Sequence, residues 1–197
     1  MKIRNGFVSN SSSSSFILKF DKVPETKEEM RVLLFGENPP IFTTHWDDDA
    51  ISTEQVASII FNDVSNSVSF KFDSLFDKIK EEIGHFSEYT YDEGYNFVQG
   101  TIYEEEFNLH YEKILAVENS SDKYNREVKM DWTKYYEQLT ELSQPMFDLI
   151  EKVIKENFTE QEEFFEVEYS DNDGNILSYI EHSGVLEPIA VQRFSHH

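Results

Sequence analysis

The sequence predicts an α+β fold, with about four to six helices and several short strands that include a C-terminal β-hairpin. Three observations point there. Apolar residues recur at helical spacing, most strongly between Asp131 and Asn157. Phe165, Val167 and Tyr169 alternate with Glu166 and Glu168 at the strand period. Two helix-start signatures, Thr26 with Glu29 and Ser52 with Gln55, stand just ahead of apolar stripes.

Taken in order, Ser9 to Ser15 has no apolar periodicity and reads as a flexible lead into a strand at Phe16–Phe20. Thr26 and Glu29 then open a short helix whose stripe is Met30, Leu33 and Leu34, ended by Gly36 and the Pro39-Pro40 pair. Ile41 to Thr44 suits a strand before an acidic loop at Asp47–Asp49, and Ser52 opens a helix with Val56, Ile59, Ile60 and Val64 on one face. Asp73 is placed to cap a helix carrying Leu75, Phe76, Ile79, Ile83 and Phe86.

From Tyr89 to Gly100, aromatic residues alternate with polar ones around Gly94, which suits a hairpin or an irregular aromatic loop. Residues 102 to 117 place Phe107, Tyr111, Ile114 and Leu115 at helical offsets, although the Glu104-Glu105-Glu106 run leaves a strand open. Asn119 to Lys123 reads as a connection, so the chain is either one domain or two subdomains meeting near residue 120. In the long helical stretch, Pro145 implies a bend or a restart, because its ring removes a donor and crowds the preceding turn. The tail predicts a hairpin, with Asp171 to Asn175 turning the strand at Phe165–Tyr169 into a second at Ile176–Ile180, and one more strand within Val185–Val191.

Charge restricts the function. The chain carries 39 acids against 17 Lys and Arg, a net charge of -22, which repels nucleic-acid phosphates and anionic lipids and attracts cationic protein surfaces. With 39% hydrophobic and 15% aromatic residues, it still has the apolar bulk that acidic disordered chains lack. The absence of cysteine excludes disulfides and zinc-thiolate sites. No signal-peptide core or membrane-length apolar run is present, so a cytoplasmic protein with no membrane contact is expected. The acidity is concentrated: residues 81–118 hold ten acids against Lys113 alone, and residues 151–187 hold eleven against Lys152 and Lys155.

Motifs for chemistry are missing. Asp171-x-Asp173-x-Asn175 starts like a calcium loop, but Gly174 is two positions early and His182 stands where a bidentate Glu belongs. His45 beside Asp47–Asp49 reads as a solvated loop, and His196-His197 as tail. No nucleophile elbow, phosphate-cradling glycine loop or paired-histidine helix occurs, so neither an enzyme nor a cofactor is expected.

The stretch from Glu88 to Tyr111 reads in two ways. Its rings and carboxylates can form a half-buried face with a charged outer side. Alternatively they form a docking patch, in which Tyr89, Tyr91 and Tyr95 give contact area while Asp92, Glu93, Glu104, Glu105 and Glu106 meet Arg and Lys of a partner.

The opening, Met1-Lys2-Ile3-Arg4-Asn5-Gly6-Phe7-Val8-Ser9-Asn10 followed by Ser11 to Ser15 and Phe16, resembles a leader shared by many proteins of large tailed bacteriophages. It covers under a tenth of the chain and speaks to origin only. By size, acidity, residue usage and this leader together, the chain resembles staphylococcal phage proteins that bind the promoter-reading domain of the host primary sigma factor and inhibit host transcription. The resemblance implies the host primary sigma factor, carried on RNA polymerase holoenzyme, as partner, with a helix-turn-helix domain as the target. It leaves open whether the DNA-reading face is covered or neighbouring contacts are disturbed; the many bulky rings favour the second. The alternative is an acidic DNA mimic that inhibits a host DNA-binding or defence protein, and a third class is a hydrolase without a recognisable motif.

Overall fold

The chain is α+β. The computed structural model describes residues 13–37, 42–43, 50–120, 131–170 and 175–196. In chain order the elements are β1 (Ser13–Lys19), α1 (Lys27–Phe35), β2 (Phe42–Thr43), β3 (Ala50–Ile51), α2 (Thr53–Asn66), β4 (Phe70–Lys71), α3 (Phe72–Ile83), α4 (Tyr91–Val98), α5 (Glu104–Ser120), α6 (Trp132–Asn157), β5 (Glu163–Ser170), α7 (Asn175–His182) and β6 (Ala190–His196). Seven helices thus stand among the described residues, one above the expected range. They fall in two compact units, residues 1–69 with 163–197, and residues 70–162. Residue 120, where the sequence suggested a junction, is the end of α5 inside the second unit.

In the first unit, β1 runs between β5 and β6, antiparallel to both, with Ser13 opposite Ser170 on one side and His196 on the other. A serine-rich segment therefore forms the middle of a sheet. Ser13 to Ser15 extend the expected strand toward the N-terminus, and Ser14 and Ser15 are buried; the rest of the serine lead lies outside the described residues. Phe16 and Leu18 join Val56, Ile60, Phe165 and Val167 in one core.

Both helix-start signatures cap their helices. Thr26 accepts from the Glu29 amide at 3.1 Å, while the Glu29 carboxylate takes the Glu25 amide at 2.7 Å. Ser52 and Gln55 make the full reciprocal pair, at 3.2 and 3.1 Å. The stripe of α1 needs correction: Leu33 is exposed and Arg31 is buried in its place, its guanidinium held by both Glu28 oxygens and the Gly36 carbonyl. Those bonds let a charged side chain enter where an apolar one was expected.

The expected C-terminal hairpin does not form. Residues Asn175–His182 are helix α7, which sends Ile180 into the core with Ile176 and Leu177 partly buried beside it. The strand at Glu163–Ser170 instead pairs with β1, far away in sequence. The last strand lies later than expected: Val185 to Ile189 form turns whose apolar side chains are buried, and Ala190 begins the ladder. His196, expected to be tail, is the final strand residue.

A polar cluster ties these elements together. The Ser14 hydroxyl donates to Glu181 of α7 at 2.9 Å and accepts from Arg193 of β6 at 3.0 and 3.2 Å, while Glu181 is almost fully buried. Nearby, burial pushes the Asp63 carboxyl up, and the Tyr169 hydroxyl is pushed up by burial and then by the Asp63 charge.

The second unit is helical around a core of Phe86, Phe107 and Phe147 with Leu75, Ile79, Val98 and Ile114. Asp73 sits within the first turn of α3, so Lys71 is the N-cap and makes no side-chain capping bond. The stretch expected to be a hairpin or an irregular aromatic loop instead forms helix α4. Gly94 lies against the Phe86 ring, and Tyr91, Tyr95 and Val98 fall on one side at helical spacing. The residues after Phe97 turn back through Gly100, whose φ of 74° suits glycine.

The long helix α6 continues through Pro145. The Ser143 hydroxyl donates to the Leu139 carbonyl one turn back at 2.7 Å and accepts the Phe86 amide at 2.8 Å, binding the end of the α3 region to α6.

Candidate docking surface

The eight residues singled out in sequence all lie on or next to α4 and the start of α5. The structure divides them by role. Tyr91, Tyr95 and Glu104 serve the unit itself. The Tyr91 ring is stacked between Tyr95, 5.2 Å away, and Tyr111, 4.2 Å away, with Phe107 behind at 5.9 Å from Tyr91. The Tyr91 hydroxyl donates to Asn108 Oδ1 at 2.6 Å.

The Tyr95 hydroxyl donates to Glu104 Oε1 at 2.5 Å, and the Gly100 amide donates to Glu104 Oε2 at 2.8 Å. That clamp fixes the connection between α4 and α5. It has reciprocal electrostatic consequences: the bond from Tyr95 and then the Gly100 amide hold the Glu104 carboxyl below its ordinary range, while Tyr95 is pushed up to about 12. Glu104 therefore stays anionic where it stands, at the first turn of α5, and complements the positive end of that helix.

The remaining candidates face outward. Tyr89 is 79% exposed, and Asp92, Glu105 and Glu106 are exposed, while Glu93 is half-buried. Glu106 lies 3.9 Å from His110 one turn on. Asp92 and Glu93 occupy the first turn of α4, where the helix dipole favours them.

Sequence reasoning missed a second component, which is apolar. Ile102, 87% exposed, and Leu109, 54% exposed, stand beside Glu105 and Glu112 on the outer side of α5. With Thr101, Glu104 and Asn108 they line an open depression of about 550 Å³. Leu109 lies out of phase with the Phe107, Tyr111 and Ile114 stripe, and this was the only sequence signal for it. Among the described residues no ion pair engages Glu105 or Glu112.

On the far side of the same connection, the Glu118 carboxylate is buried and accepts the Glu88 amide at 3.2 Å. His85, against the Tyr136 ring at 5.4 Å, is lowered by burial, with the Glu118 charge acting in the opposite sense. Among the described residues no group of three or more His, Asp or Glu is arranged to hold a metal ion, and no helix is long and apolar enough to cross a membrane. Asp47–Asp49 and Asp171–Asp173 lie outside the described residues.

No protein family, curated protein or solved structure matches the chain. The surface must be read from its own chemistry: a strongly anionic helix pair, clamped through Glu104, with two exposed aliphatic side chains set among carboxylates.

Proposed function

We propose that this protein is a phage-encoded inhibitor of host transcription that docks onto the basic, promoter-reading helix-turn-helix domain of the host primary sigma factor in RNA polymerase holoenzyme. The observation that carries the docking part is the outer side of α5 and the residues leading into it, where Glu105 and Glu112, engaged by no ion pair among the described residues, flank exposed Ile102 and Leu109. Such a surface repels nucleic acid and speeds the approach of a cationic protein, and the aliphatic side chains supply burial once contact is made. The choice of sigma factor rests on the sequence resemblance.

The outward residues Tyr89, Asp92, Glu105 and Glu106 are the contact candidates from the original set. Tyr91, Tyr95 and Glu104 act by holding the two helices in register. A mimic of the DNA backbone needs regularly spaced carboxylates and gains nothing from an exposed Ile102 and Leu109, so the apolar component favours a protein docking surface. Immobilised full-length chain is expected to retain polymerase and sigma factor from host lysate and to suppress run-off transcription by purified holoenzyme. Retention of a nuclease or other DNA-processing enzyme without polymerase would establish the mimic instead, and turnover of a small substrate would establish an enzyme.

A further inference from the structure

The depression on α5 has a pattern that specifies the element it receives. Glu105 and Glu112 lie seven residues apart on one helix, about 10 Å along the axis at ~1.5 Å per residue, with Leu109 between them. Ile102 extends the apolar floor beyond the helix start. The clamp of Tyr95 and Gly100 on Glu104 holds this end of the depression in place, so its order need not be created on binding.

An anion, an aliphatic group and a second anion at this spacing complement a helix that presents a cation, an aliphatic group and a cation. Two cations seven residues apart on a straight helix repeat the same ~10 Å interval. The side chain three or four positions after the first cation lies on the same face between them.

We infer that the depression lined by Ile102, Glu105, Leu109 and Glu112 receives one helix of the partner protein, carrying a Leu or Ile between two Lys or Arg residues spaced seven apart. This inference rests on the docking reading above and narrows it to one groove and one kind of helix. The aliphatic side chain seats between Ile102 and Leu109, and the flanking cations meet Glu105 and Glu112. Charges at the rim set partner choice and association rate, and the buried aliphatic contact sets how long the complex lasts.

The test uses full-length protein and a labelled helical peptide with Leu between two Lys seven residues apart, read by fluorescence anisotropy at low salt. A peptide of identical composition with the Leu moved to the opposite face is the control. The matched peptide is expected to bind about tenfold more tightly than the control, the equivalent of ~1.4 kcal/mol. Leu109→Asp should abolish that preference, and the Glu105→Gln, Glu112→Gln pair should weaken the matched peptide about tenfold. A Glu137→Gln, Glu141→Gln pair, an equal charge change at exposed positions of α6, should have little effect. Circular dichroism of each variant shows whether its fold is kept, and the peptide controls on wild-type protein decide the matter even where a variant fails to fold.

Equal binding of the two peptides, or no binding of either, overturns the groove assignment. The same variants are assayed against holoenzyme, so that the two readings fail separately. Wild-type protein that ignores holoenzyme while preferring the matched peptide defeats the sigma reading alone. A folded Leu109→Asp chain that binds holoenzyme normally defeats the groove assignment alone.

Discussion

Replacing Gly94 by alanine tests the arrangement on which the docking surface is built. In an isolated helix the change would help, because alanine is favoured over glycine by about 1 kcal/mol. Here the added Cβ would stand 2.3 Å from Phe86 Cε1, 2.5 Å from its Cζ and 3.0 Å from Phe107 Cζ. Ordinary contact starts near 3.4 Å, so the Phe86 ring must withdraw by about 1 Å. Other rings stand in its way: Phe86 is fully buried, with Phe107 at 5.5 Å and Phe147 at 4.8 Å between ring centres. Overpacking of this kind costs about 1–3 kcal/mol, and a displaced central ring belongs at the upper end. After subtracting the gain in helix propensity, Gly94→Ala should lose about 2 kcal/mol, a fall in Tm of roughly 4–8 °C for a chain of this length. Urea unfolding would measure it. Gly94→Ala should cost less in a Phe86→Leu background than in the wild-type chain, since the obstructing ring edge is gone. If Gly94→Ala matches or exceeds wild-type stability, α4 does not pack on Phe86 as described and the surface built on it falls.

Three further predictions follow from the polar contacts. Ser143→Ala removes the acceptor of the buried Phe86 amide and should cost about 1–3 kcal/mol, with faster hydrogen exchange at that amide; unchanged exchange would deny the bond. Arg193→Ala leaves the buried Glu181 carboxylate without its guanidinium and should destabilise by about 1–3 kcal/mol, whereas Glu181→Gln keeps an acceptor for Ser14 and should cost less; the reverse order in denaturant melts would contradict the cluster. Tyr95 and Tyr111 are each pushed up to about 12, Tyr95 chiefly by its bond to Glu104 and Tyr111 chiefly by burial. Because the folded values exceed the unfolded value near 10, their contribution to stability is complete below about pH 10 and drains away as pH rises toward 12. Tyrosinate absorbance should therefore show a late-ionising class that shrinks in Tyr95→Phe, and a single common transition near 10 would refute it.

What the sequence revealed was local. The Ser52 and Gln55 pair predicted the α2 start because both bonds form within four residues, and the apolar phase of α2, α3 and α6 was readable for the same reason. Errors arose where a distant partner decided the outcome. The segment around Gly94 looked like a hairpin because its rings alternate over a short span; its helix is chosen by the fit of a bare glycine backbone against Phe86. The segment Ile176–Ile180 is too short for its period to separate strand from helix, and β1, about 150 residues earlier, claims the edge that a hairpin would have used. Leu33 and Arg31 exchanged roles because a guanidinium satisfied by Glu28 and the Gly36 carbonyl can be buried.

The candidate surface was half legible. Charge and ring content located α4 and the start of α5, yet the bonds and ring contacts that Tyr91, Tyr95 and Glu104 make inside the unit were not readable from them. Ile102 and Leu109 stood out only once the helix phase was fixed, since exposure belongs to a face and not to a residue type.

Titrating the full chain into sigma-loaded holoenzyme and into core polymerase, each at low and at high salt, probes the docking reading at its root. Binding should require the sigma factor and weaken steeply as salt screens the carboxylates. Equal affinity for core polymerase, or an affinity for holoenzyme that salt leaves unchanged, would contradict it.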